Sequence, residues 1–278
     1  MQISVFTSSE PAFLVNSVII ETQNGIIVVD AQFLVSEAQK LKQQIEQLGK
    51  PLLAVIVTHP HPDHFNGVGI LCENLETPIY ATQSTLDDIK TIEAGKRAFW
   101  KQTYGDDYPD STTLPNQIVR SKEELVIDGV NLVIDDLGAG ESSDIMVIYL
   151  PSTKALIASD LLYHKVYPWL AEGRSTAWVE QIEYVKNTYS AAEIVYAGHG
   201  SESNLDALDG QREYIQFFYQ LVRDRITSDG ALVDDAKAHI KETMQTRYPN
   251  YPLEFLIEMN IDGTVNELID GKEVTYHE

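Results

Sequence analysis

Leu52-Leu-Ala-Val-Ile-Val57 is an unbroken apolar run of six residues, set between Gly49-Lys-Pro51 and a polar stretch that begins at Thr58. A run this short, with no polar residue alternating through it, predicts a strand covered on both faces. A strand of that kind belongs in the interior of a layered α/β domain, with helices packed outside the sheet. The rest of the chain supplies the matching parts. Ser17–Glu21 and Ile26–Asp30 are β-branched runs joined by Thr22-Gln-Asn-Gly, a hairpin signal. Ser36–Leu48 carries apolar residues at Ala38, Leu41, Ile45 and Leu48, a helical stripe with Ser36 as its cap and Gly49 as its stop.

Further along, Ile79–Ala81 reads as a short strand, Ser84–Lys101 as helix, and Tyr104–Gln117 as a long loop suited to a lid. Strand runs follow at Glu124–Ile127, Val130–Asp135, Ile145–Leu150, Ala155–Ala158 and Ile194–Ala197, with helix over Thr176–Tyr189 between the last two. After Gly200 the chain turns helical, at Asn204–Ile226, Asp234–Thr246 and Leu253–Met259. This order predicts a catalytic α/β domain over residues 1–200 and a mainly helical extension over 201–278 packed on it.

The chemistry is concentrated directly after the first buried run, in Thr58-His59-Pro60-His61-Pro62-Asp63-His64-Phe65-Asn66-Gly67. Four metal-competent side chains fall within six residues, and three of the chain's seven histidines are among them. A loop at a strand end can aim such side chains at one point, and two prolines restrict its backbone. Imidazole mixed with carboxylate suits Zn²⁺, and also iron or manganese. The single cysteine, Cys72, excludes both a disulfide framework and a zinc site built on several thiolates; it reads as a small core residue.

This segment is the His-x-His-x-Asp-His signature of the metallo-β-lactamase superfamily, and the chain resembles that family from about Ser17 to Gly200. Asp30 matches the family's early supporting aspartate. Gly138-Ala-Gly-Glu-Ser-Ser-Asp144 resembles its Gly-x-Gly-His segment, Ala158-Ser-Asp160 the strand end with the bridging aspartate, and Gly198-His-Gly200 the final histidine motif. The resemblance implies a four-layer αβ/βα sandwich. It also implies a first metal on His59 and His61, a second on Asp63, His64 and His199, and Asp160 bridging, with one or two Zn²⁺ ions and Fe²⁺ or Mn²⁺ as substitutes. Two cations sharing a water lower its pKa from about 15.7 toward about 7, giving a hydroxide at neutral pH. Asp63, by the same resemblance, is the catalytic residue that orients the nucleophile and passes a proton to the leaving group. The segment Leu161–Ser175 approaches the metal cleft in this family, which makes Tyr163, His164, Tyr167, Trp169 and Arg174 candidates for contacting substrate.

One position departs from the family pattern: Glu141 stands where a third histidine would serve the first metal. It ligates directly and makes the site harder, or it supports from outside, or the enzyme works with one metal. Direct ligation is preferred, since zinc accepts carboxylate oxygen.

The net charge of −22, from 42 acidic and 20 basic residues, repels phosphate backbones and argues against a nucleic-acid partner. No apolar run approaches the roughly 20 residues of a membrane span. The N-terminus lacks a secretory pattern, so the default location is cytoplasmic. A chain already relieved of a leader would read the same and belong to the periplasm or exterior. The reaction expected is hydrolysis of a small ester, lactone or amide-type molecule. An iron-dependent oxidoreductase and a non-catalytic metal-binding protein are the competing readings.

Overall fold

The computed structural model describes residues 1–73, 76–227 and 230–269. One sheet is formed by β1 (Gln2–Thr7), β2 (Asn16–Glu21), β3 (Ile26–Val29), β4 (Leu52–Ile56), β5 (Ile79–Ala81) and β6 (Gln117–Ile118), in that spatial order. β1 to β3 are antiparallel, and β3 to β6 are parallel. The second sheet runs β11-β10-β9-β8-β7 across, from β7 (Glu124–Ile127), β8 (Val130–Gly138), β9 (Ile145–Leu150), β10 (Ala155–His164) and β11 (Ile194–Gly200). Helices α1 (Val35–Gln47), α2 (Pro62–Phe65), α3 (Val68–Leu71), α4 (Gln83–Tyr104), α5 (Ser175–Thr188), α6 (Asp206–Arg223), α7 (Ala236–Arg247) and α8 (Leu256–Ile269) complete the described elements.

Successive strand residues point to opposite faces, and the apolar runs therefore feed two layers at once. Ile27 and Val29 of β3, with Ala54 and Ile56 of β4, meet Met146, Ile148 and Leu150 of β9 between the sheets. Their neighbours Ile26, Val28, Val55 and Val57 face outward onto Leu41 and Ile45 of α1 and Val68 of α3. On the other side, Ile145, Val147 and Leu156 pack against Trp178 and Ile182 of α5 and Ile215 and Phe218 of α6. The result is helix, sheet, sheet, helix: the four-layer sandwich expected from the sequence. α7 and α8 join the outer layer over the second sheet, through Ile240, Met244, Ile257 and Ile261. Cys72 is half-buried beside the α1 layer.

Several local readings need correction. β1 was not legible, because its residues are only part-buried at a sheet edge and give a weak pattern. Ser36 does not cap α1 with its own side chain; the carboxylate of Asp107 accepts from Ser36 N at 2.7 Å and from Ser36 Oγ at 2.8 Å. α8 runs ten residues past Met259. The helix after the His-rich loop begins at Pro62, where a proline's missing N–H costs nothing. The segment Tyr104–Gln117 is pinned rather than free to act as a lid: Tyr108 is buried among Phe33, Trp100 and Tyr104, and Asn116 Oδ1 accepts from Ile79 N.

All the loops that carry predicted ligands open at one end of the two sheets. The parallel strands β3, β4 and β11 run toward that end, so Asp30, the His59–His64 loop and His199 emerge there. β9 runs opposite to its neighbour β10, so the residues that precede it, including Glu141, arrive at the same end. Asp160 comes from within β10, where the register against β11 shifts on either side of Ser159. The strand does not stop at Ala158 as the sequence suggested. A bulge, with Ser159 at φ 46°, re-aims Asp160 and lets pairing continue to His164.

Candidate metal centre

His59, His61, Glu141 and Asp160 each present a nitrogen or oxygen within 4.8 Å of the others, and so do Asp63, His64 and His199. Asp160 touches both groups: its Oδ2 lies 3.6 Å from His59 Nε2 and 3.3 Å from His199 Nε2, and its Oδ1 lies 3.2 Å from His64 Nε2. Asp63 Oδ2 is 3.5 Å from His64 Nε2 and 3.4 Å from His199 Nε2. Glu141 Oε2 lies 3.5 Å from His61 Nδ1 and 4.0 Å from His59 Nε2. All seven side chains that the sequence singled out thus gather in one cluster, Glu141 among them, and His61, Asp63 and His199 of it also line a cleft.

The far side of each imidazole fixes which nitrogen faces inward. His64 Nδ1–H donates to Asp30 Oδ2 at 2.9 Å, and His199 Nδ1–H to the Phe13 carbonyl at 2.7 Å. Thr58 gives its hydroxyl proton to Asp30, so its oxygen accepts from His59 Nδ1–H at 2.9 Å. His61 Nε2–H donates to Glu172 at 2.9 Å. Each ring therefore turns its other nitrogen toward the centre, the orientation that outer partners give metal-bound histidines. Asp30 is the hub, accepting from Thr58 N, Thr58 Oγ1, Ser159 Oγ and His64.

Nε2 of His59, His64 and His199, Glu141 Oε2 and Asp160 Oδ1 are all buried without a hydrogen-bond partner among the described residues. A buried unsatisfied polar atom costs about 1–3 kcal/mol, and five of them converge here. A divalent cation satisfies such a set, and the donors fit one.

Crowding also perturbs protonation. Burial pushes the Glu141 carboxyl up to about 8, against the pull of His61, with Asp160 and Glu172 adding to the rise. Burial opposes charge on His61 and His199, yet Glu141 and Glu172 raise the first to about 9 and Asp160 and Asp63 raise the second to about 10. Burial and the neighbouring His64 hold His59 low. Asp63 and Asp160 are held low despite burial, chiefly by His64. Protons and a cation compete for these lone pairs.

Two glycines make the packing possible. A Cβ on Gly198 would sit 1.7 Å from Asp160 Oδ1, and one on Gly140 would sit 1.9 Å from Gln181 Oε1. Gln181 Nε2 in turn reaches the carbonyls of Leu137, Gly138 and Ala139 at 3.0–3.1 Å, holding the loop that presents Glu141.

The model of the metallo-beta-lactamase superfamily matches residues 11–199. The chain belongs to that superfamily. Metallo-beta-lactamase IND-1 of Chryseobacterium indologenes is 25% identical over 194 residues, covering 66% of this chain and 71% of that one. A linear primary-alkylsulfatase of Pseudomonas sp. is 24% identical over 241 residues, covering 74% of this chain but 44% of the larger protein. Among solved structures, a metallo-beta-lactamase from Pontibacter korlensis superposes with a TM-score of 0.62 at 20% identity, over 77% of this chain and 94% of that one. This superfamily member is accordingly a metal-dependent hydrolase.

Above its metal-binding floor lies an open cleft. Tyr163 and Trp169 line it, as expected; His164 and Arg174 do not. His164 follows Tyr163 on β10 and so points away, where its Nδ1 bonds the Ser201 carbonyl at the edge of a separate depression. Arg174 pairs with Glu172 and acts on the site only through it. Tyr167 is buried, its hydroxyl donating to the Tyr248 carbonyl. Tyr163 has a further role: its hydroxyl lies 2.6 Å from Asp160 Oδ2 and 2.9 Å from Glu141 Oε1, and its ring stacks on His199 at 4.6 Å.

Sequence reasoning missed Glu172, which lies in the segment noted after Asp160 but carries no distinguishing pattern. It also missed the cleft walls. Phe13 and Phe33 come from loops, Lys96 and Trp100 from α4, and Leu253, Phe255, Leu256 and Met259 from the extension. No spacing links these residues in sequence.

Proposed function

We propose that this protein hydrolyses a small carbonyl-centred substrate, of ester, lactone or amide type, with two metal ions, zinc foremost. His59, His61, Glu141 and Asp160 would hold one, and Asp63, His64 and His199, with Asp160 between the two groups, would hold the other. The convergence of seven donors, six of them buried and five with orphaned atoms, carries this reading. When bound, such ions supply Lewis acidity and a water acidic enough to attack at neutral pH.

The chain's own residues do the rest. Asp63 is the one carboxylate of the second group that also lines the cleft, and its side chain is 15% exposed. It can accept a proton from the attacking water and return it to the leaving group. Tyr163 has one hydroxyl proton for two carboxylate oxygens, so it donates to Asp160 or to Glu141, and a proton on Glu141 would let it keep both contacts by accepting from that carboxyl. The carboxylate of Glu141 makes its half of the centre harder and more tolerant of Fe²⁺ or Mn²⁺ than an all-histidine set. The acidic surface disfavours polyanionic partners, in keeping with a small-molecule substrate.

Metal analysis of protein purified without added metal, together with a panel of esters, lactones, β-lactams and sulfate esters, tests the reading. Carbonyl hydrolysis that disappears in Asp63→Ala and in Asp160→Ala, with fold retained, is the expected result. Bound iron with oxygen consumption and no hydrolysis would replace it with the oxidoreductase alternative.

A further inference from the structure

We propose that the cleft selects substrates whose cleavable group is joined to an extended apolar chain or ring ending in an anion. The apolar part would lie against the aromatic wall, and the anion on Lys96. This rests on the hydrolytic reading only in taking the floor of His61, Asp63 and His199 as the place of bond cleavage.

The wall is continuous and built. Phe33 lies 5.4 Å from Trp100, Trp100 lies 5.6 Å from Phe13, and Phe13 lies 6.1 Å from Phe255, centroid to centroid. That band crosses from α4 to the C-terminal extension, which lies beyond the 11–199 family match. The extension is clamped to the loop that bears Trp169. Asn260 is wholly buried, its Oδ1 accepting from Leu170 N at 2.7 Å and its Nδ2 donating to the Pro168 carbonyl at 2.8 Å. Gly263 sits so close beneath that a Cβ there would meet the Ala171 carbonyl oxygen at 2.2 Å. Trp169 and Leu253–Met259 thus form one rigid surface rather than a loose tail.

Phe255 is 47% exposed and Met259 39% exposed on that surface. Large apolar groups left facing a cleft mark a ligand surface when a polar reaction centre lies at its base. Among the described residues Lys96 is the only Lys or Arg lining the cleft, one helical turn before Trp100 on the same face of α4. It forms no ion pair with any described residue, in a chain of net charge −22. A lone half-buried cation beside an apolar wall is matched by a single anionic group at the end of an apolar body.

Two measurements test this. Butanoate, octanoate and octan-1-ol are titrated into chelator-stripped protein, following the fluorescence of Trp100 and Trp169. The wild type should bind octanoate at least about tenfold more tightly than butanoate, since each buried methylene adds a several-fold gain. It should also prefer octanoate to octanol. Lys96→Gln should erase the second preference, and Phe255→Ser should compress the first. On metal-loaded enzyme, 4-nitrophenyl esters of acetic, octanoic and octanedioic acid (the last as its half-ester) should show kcat/KM rising in that order. Equal binding of butanoate and octanoate by the wild type, or an anion preference unchanged in Lys96→Gln, would overturn the inference. Equal turnover of acetyl and octanoyl esters would overturn it and leave the hydrolytic reading intact. Chain-length-dependent binding without turnover of any ester would do the reverse.

Discussion

Asp30→Asn is the most informative single change at the centre, because it keeps shape while removing one negative charge and turning one acceptor into a donor. Asp30 has φ 64°, a conformation that asparagine also tolerates, so the substitution adds little backbone strain. Oδ1 would keep the fixed Thr58 N–H, now 2.9 Å away. The new amide nitrogen would then replace Oδ2, which faces Thr58 Oγ1 at 2.8 Å, His64 Nδ1 at 2.9 Å and Ser159 Oγ at 3.0 Å. The two hydroxyls can rotate to accept. His64 can accept only by moving its proton to Nε2, the atom that faces Asp160 and Asp63. Its lone pair is then lost to the centre. Removing an outer partner of a metal-bound histidine typically costs 10–100-fold in metal affinity, or about 1.4–2.8 kcal/mol. Loss of a buried charge-assisted bond adds about 2 kcal/mol to the destabilisation of the fold, which lowers Tm by roughly 3–4 °C in a chain of this size. Metal content by mass spectrometry after dialysis against a buffered zinc series, with thermal unfolding in parallel, measures both. A variant with wild-type metal affinity and wild-type Tm would refute the tautomer assignment for His64.

Three further outcomes follow from the structure. Glu141→His should raise zinc occupancy and Glu141→Ala should lower it in the first group alone, read by anomalous scattering at the zinc edge; identical content in both variants would remove Glu141 from the ligand set. Gly198→Ala should displace Asp160, whose oxygen would meet the new Cβ at 1.7 Å, and so lower both metal content and Tm, the latter by the several degrees that about 2–3 kcal/mol of overpacking brings. Burial pushes the Cys72 thiol up to about 11, so iodoacetamide at pH 8 should label it far more slowly than a free thiol. Because the folded state holds that proton more tightly, this contribution to stability is full below about pH 8.5 and is lost as pH rises toward 11.

The clustered His, Asp and Glu side chains were legible because they sit in short motifs at the ends of apolar runs, and one buried strand dictates where its following loop must lie. Glu141 could be placed by its flanking Gly-x-Gly and Ser-Ser-Asp residues, although its own type breaks the pattern. The walls were not legible. Phe13, Trp100 and Phe255 meet only because α4 and the extension fold back over the same opening, and ordinary apolar periodicity gives no sign of it. His164 and Arg174 were misplaced for a related reason: proximity to Asp160 in sequence says nothing about which face of β10, or which side of Glu172, a residue takes. The bulge at Ser159 was likewise invisible, since the residues Ala-Ser-Asp read equally well as a strand end.

The bond from His199 to the Phe13 carbonyl spans 186 residues, and this has a consequence for how the centre comes into being during synthesis. At about 5–20 residues per second, roughly 10–40 s pass between the making of Phe13 and the arrival of its partner. From the making of His64 onward the nascent chain carries His59, His61 and His64 while the last histidine is still to come. Any ion caught early would be held by half a set and exchange freely. Secure capture therefore waits for β11 to dock, and the final histidine acts as the latch that reports the sandwich closed.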